Sequence, residues 1–67
     1  MFILIQLPKT SKEGFVYEIF TLQGNSLIKN SVNTNIANVN INSLSKGVYF
    51  VHIIQNNNRV VKKIVVE

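Results

Sequence analysis

Residues 47–66 hold two alternating apolar runs separated by asparagines, an arrangement that admits little besides an antiparallel hairpin. Gly47 opens the run Val48-Tyr49-Phe50-Val51-His52-Ile53-Ile54, and Arg59-Val60-Val61-Lys62-Lys63-Ile64-Val65-Val66 forms the second. Both are rich in β-branched residues and lack the three-and-four spacing of a helix. Between them Asn56, Asn57 and Asn58 supply residues suited to a turn. The second run reaches the last residues, where a chain frays unless a sheet holds it.

Side chains of a strand alternate between faces. Tyr49, Val51 and Ile53 are assigned to the core, because Val48, Phe50, His52 and Ile54 then carry the histidine to the wetter side. Lys62 and Lys63 are consecutive and point to opposite faces, so no central position accepts both. An edge strand does: the aliphatic stems lie over neighbours while the ammonium groups reach water.

Upstream the same grammar repeats. Residues 2–7 are an apolar strand closed by Pro8, which cannot donate to a ladder. Residues 9–14 are a polar loop ending in glycine. Residues 15–22 put Phe15, Tyr17 and Ile19 on one face and Val16, Glu18 and Phe20 on the other, as in a strand covered on both sides for part of its length. Gln23-Gly24-Asn25 turns the chain into a strand over residues 26–30. After a further turn at residues 33–35, a strand over residues 36–42 sets Ala37, Val39 and Ile41 on one side and Ile36, Asn38, Asn40 and Asn42 on the other, marking one buried and one wet face. Leu44 is placed to plug the core from the following loop. This succession predicts an all-β protein, a small antiparallel immunoglobulin-like sandwich of about six to seven strands.

Sixty-seven residues make one domain with a thin core, since a chain of this size buries only about 60% of its unfolded surface. Cysteine is absent and His52 is the only histidine, so neither a disulfide framework nor a Cys/His zinc site is open to it. Ten asparagines supply turns, and none lies in a glycosylation sequon. The net charge of +4 reflects scarce acids, only Glu13, Glu18 and Glu67, as much as abundant bases. Those bases are scattered, whereas nucleic-acid binding asks for a continuous basic stripe with stacking aromatics. Residues 1–7 are too few to cross a bilayer and lack a basic flank or a cleavage site.

No catalytic constellation is expected. Five serines share one histidine, and Glu18 is the only acid in a predicted strand able to orient it. Gly24 and Gly47 punctuate strands and precede no helix, so no phosphate loop forms. Neither enzyme activity, a metal nor a cofactor is therefore expected. Phe15, Tyr17, Phe20, Tyr49 and Phe50 offer a sugar-stacking platform in principle, but their alternation fits the core of a thin sandwich better.

Three segments, residues 15–24, residues 38–51 and residues 61–67, together resemble the type A C-terminal sorting domain of the type IX secretion system, a signal on cargo proteins of Bacteroidota. The resemblance rests on Gly24, on the spacing of Leu44, Gly47, Val48, Tyr49 and Phe50, and on Lys63 near the end. The family's leading proline-asparagine-proline segment is missing, and His52 stands where relatives are often basic. Membership implies a non-enzymatic domain at the end of a longer secreted parent, residues 1–67 here having been cut just after the missing segment. It implies passage through the periplasm, reading by the outer-membrane translocon, and removal by a surface sortase that releases the cargo or joins it to lipopolysaccharide. The outer-membrane translocon and sortase components are the expected partners, with Arg59, Lys62 and Lys63 guiding an edge strand to them and edge pairing of two copies expected in crystals. The alternative is a passive sandwich appendage for adhesion or carbohydrate binding.

Overall fold

The computed structural model describes residues 2–7 and 14–67 and contains six strands. They are β1 (Phe2–Gln6), β2 (Phe15–Thr21), β3 (Ser26–Val32), β4 (Ile36–Asn40), β5 (Gly47–Gln55) and β6 (Asn58–Val66). The strand stop expected at Pro8 and the polar loop expected over residues 9–14, all but its Gly14, lie outside the described residues. No helix long and apolar enough to cross a membrane occurs among the described residues.

The strands form two antiparallel sheets, β1-β4 and β3-β2-β5-β6. One core joins them. β1 and β4 contribute Ile5, Ala37 and Val39; β2 and β5 contribute Phe15, Tyr17, Ile19, Tyr49, Val51 and Ile53. The molecule is thus an all-β sandwich of six strands. The face assignments of β2, β4 and β5 made from alternation hold: Ile41 and Val39 are buried, and His52 sits on the opposite side from Val51.

Asparagines build the turns by hydrogen bonding, the mechanism that makes them poor helix residues. Asn35 holds the end of β1 twice, its carbonyl accepting from Leu7 N (2.8 Å) and its Nδ2 donating to Leu7 O (3.1 Å). Asn40 Oδ1 accepts from Asn42 N at 2.9 Å and closes β4. Asn56 adopts φ 54°, and the β5–β6 hairpin reverses there in two residues, with Asn58 already paired to Gln55. At the other edge, β3 slips register against β2 between Ile19 and Phe20, a β-bulge, and extends to Val32. Gly14 passes so close to β3 that an added Cβ would lie 1.7 Å from Val32 O, so only glycine fits.

One feature differs from the sequence reading. The outer face of β2, bearing Val16, Glu18 and Phe20, is half-buried, and no second layer lies over it among the described residues. The cover on the inner side is also incomplete. Two strands cannot span four, and at β6 the positions facing inward opposite Ile53 and Val51, Val60 and Lys62, remain exposed while Val66 is buried.

Ile19 is 0% exposed at the centre of this core. Replacing Ile19 with Ala should remove roughly 2–5 kcal/mol, enough to unfold much of so small a domain. Val65→Thr on the exposed face should change stability by less than about 0.5 kcal/mol. Urea unfolding followed by circular dichroism compares the two.

Candidate functional site

The predicted motif residues gather around the start of β5. Backbone Leu44 N donates to Ile41 O at 3.0 Å, and this tight turn seats the Leu44 side chain against the core. Three residues later Gly47 has φ 155°, a value that L side chains rarely adopt. That geometry turns the chain into β5 and presents Tyr49. The Tyr49 hydroxyl reaches back to donate to Ser45 O at 2.6 Å, with Ser45 Oγ at 3.3 Å. A buried ring therefore clamps the loop that precedes its own strand, much as a tyrosine corner does in sandwich domains. The spacing of Leu44, Gly47 and Tyr49 has a physical origin: plug, turn and clamp.

Gly24 sits in the β2–β3 turn, where its amide donates to Thr21 O at 3.0 Å. Thr21 pairs with Tyr49 across β2 and β5, so this turn and the clamped loop share one end of the sandwich. Two open grooves of about 370 and 310 Å³ flank Tyr49 there. Val48 and Phe50 point the other way, onto the outer face, where Phe50 is paired with Phe20. Of the five aromatics weighed as a platform, Phe15, Tyr17 and Tyr49 are core, whereas Phe20 and Phe50 are half-buried on that outer face.

The three cations occupy β6, the last strand in the order β3-β2-β5-β6. This is the edge position inferred from consecutive lysines. Lys63 lies opposite Phe50 and Arg59 opposite Ile54, both on the outer face, while Lys62 lies opposite the buried Val51 and belongs to the inner side. All three are exposed. Arg59 Nη1 donates to His52 Nδ1 at 3.3 Å, the direction following from a guanidinium having no acceptor. The His52 ring packs on Phe20 with centroids 4.4 Å apart and planes tilted by 54°. Glu18 pairs with His52 across the strands and accepts from Ser26 Oγ at 2.6 Å.

Ser45 as the partner of Tyr49, and the Arg59–His52–Phe20 stack, escaped the sequence reading. Nothing in the sequence marks a serine carbonyl as an acceptor. The diagonal placement of Arg59 on His52 depends on the hairpin register.

Tyr49→Phe should lower stability by about 1 kcal/mol through the lost hydroxyl bond. Gly47→Ala should lower it by roughly 1–3 kcal/mol because the backbone must adopt an unfavourable φ. Chemical unfolding of the two variants tests both values, and Tyr49→Phe should leave the far-ultraviolet circular dichroism spectrum unchanged.

Neither a curated protein nor a solved structure matches the chain. A family model does, described as the secretion system C-terminal sorting domain and covering residues 2–67. A clamped β5 start, a lysine-bearing edge strand and a match over nearly the whole length lead to one conclusion: the chain belongs to the C-terminal sorting domains of the type IX secretion system.

Proposed function

We propose that residues 1–67 act as the terminal, non-enzymatic domain of a longer secreted protein and present β6 to the outer-membrane translocon for pairing by strand addition. The observation that carries this reading is the edge itself. β6 is nine residues long, is paired among the described residues only with β5, and carries Arg59, Lys62 and Lys63 exposed. Its second side offers unpaired backbone donors and acceptors to an incoming strand.

The other edges are poorer templates. β3 is shorter and interrupted by its bulge, and β1 and β4 span five residues each. Scarce carboxylates leave the positive charge of the domain largely uncompensated, which favours approach to an acidic surface. In this reading the domain accompanies its cargo through the periplasm, is read at the outer membrane, and is removed by a surface sortase. Lys62 and Lys63 then serve encounter, whereas Tyr49 and Gly47 serve the fold.

The test is a fluorescent protein targeted to the periplasm, fused to this domain with its native upstream segment, in a type IX-competent host. Delivery to the surface or medium with loss of the domain's mass is the expected result. A reporter held in the periplasm at full mass would replace the sorting reading with that of a retained binding module. The Lys62→Gln/Lys63→Gln variant should fold normally and export several-fold more slowly, with a rate that depends on encounter electrostatics. Normal export of the folded variant would remove the charge from the mechanism.

A further inference from the structure

We infer that the outer face of β2, β5 and β6 docks a protein surface with an apolar centre and an acidic rim, an interface separate from the free edge of β6. This inference rests on the sorting reading.

A strand that faces water on one side normally alternates apolar and polar residues. β4 does so beyond Ile36, with Asn38 and Asn40 outward, and β3 sends Lys29 and Ser31 outward. β5 does not: its outward positions are Val48, Phe50, His52 and Ile54. Phe20 faces Phe50 from β2, and Val61 and Val65 extend the patch across β6 opposite His52 and Val48. The two valines are 49% and 56% exposed. A contiguous apolar patch on a small domain marks an interaction surface.

Charge selects the occupant. Lys29 borders the patch on the β3 side, Lys63 on the β6 side and Arg59 at the hairpin end; among the described residues the carboxylates nearest them are Glu18, paired with Lys29, and Glu67 past the end of β6, so cations outnumber acids around the patch. Two copies packed face to face would set these cations against one another, so a second copy of this chain is a poor occupant. A partner rimmed with carboxylates meets them favourably. The relief of the patch also favours protein over lipid. Phe20 and Phe50 are half-buried and lie flush with the sheet, and the most exposed groups are short valines. Central aromatics with cations at the rim match the anatomy of protein interfaces, whereas membrane binding calls for aromatic side chains that project into the lipid.

Val60 and Val61 provide a matched pair. They are neighbours on β6, 47% and 49% exposed, and point to opposite faces. An aspartate at either site changes net charge and edge pairing alike, so only the facing surface differs. In the reporter fusion, Val61→Asp should slow surface delivery about tenfold and Val60→Asp less than about twofold, with similar unfolding midpoints for both domains. If Val61→Asp does not fold, a benzophenone amino acid at position 61 or 60 of the otherwise unaltered domain gives the readout. A protein adduct on an acidic component of the secretion machinery from position 61, and not from position 60, is the expected result. Equal effects of the two aspartates, no adduct at position 61, or adducts to lipid alone would overturn the docking face. Normal delivery of both aspartate variants would overturn that face while leaving the sorting reading intact. Failure of the unaltered fusion to leave the periplasm would remove the sorting reading and, with it, this inference.

Discussion

The antiparallel pairing of β2 with β5 supports the rest of the molecule, because among the described residues only these two strands of the larger sheet have neighbours on both sides. Their inward residues, Phe15, Tyr17 and Ile19 against Tyr49, Val51 and Ile53, make up most of the core. Burial of apolar surface supplies roughly 1.5–3 kcal/mol for each such side chain, so these six outweigh anything at the periphery. β1 and β4 add a lid of Ile5, Ala37 and Val39 over this ridge. Tyr49 belongs to the ridge and to the clamp at once. Its ring fills the core while its hydroxyl fixes the Ser45 carbonyl, coupling the loop geometry to the packing of β5.

A two-stranded lid on a four-stranded sheet leaves β6 overhanging, and the residue types accommodate that. At the covered end of β6 Val66 is buried and Ile64 packs against the core; past it, Lys62 and Val60 meet solvent. A lysine on the inner side of a sheet would be untenable under a full lid, since a buried unpaired ammonium is costly. Here Lys62 is exposed and its charge stays in water. The same incomplete cover keeps the edge of β6 accessible.

Much of the fold was legible because alternation has a strict period of two. The inward sets of β2, β4 and β5, the edge position of β6 and the seating of Leu44 follow from which residues tolerate burial. Turns were legible because asparagine and glycine bond to, or relax, the backbone locally. The β3 bulge was not, since a register slip depends on the neighbouring strand and leaves no mark in Leu27-Ile28 itself. The pairing of β1 with β4, distant in sequence, was equally invisible: both are short strands of five residues that suit several neighbours.

At the candidate site the sequence determined the residue types: the glycine, leucine and tyrosine spacing, the three cations on one strand, and the family they indicate. Local chemistry suffices for these, because alternation and turn propensity act over a few residues. Tertiary structure decided what those residues face. It placed Phe20 beside Phe50 on an uncovered surface and set Arg59 against His52. Such relations depend on strand order and register, which are settled only when distant segments compete for the same core.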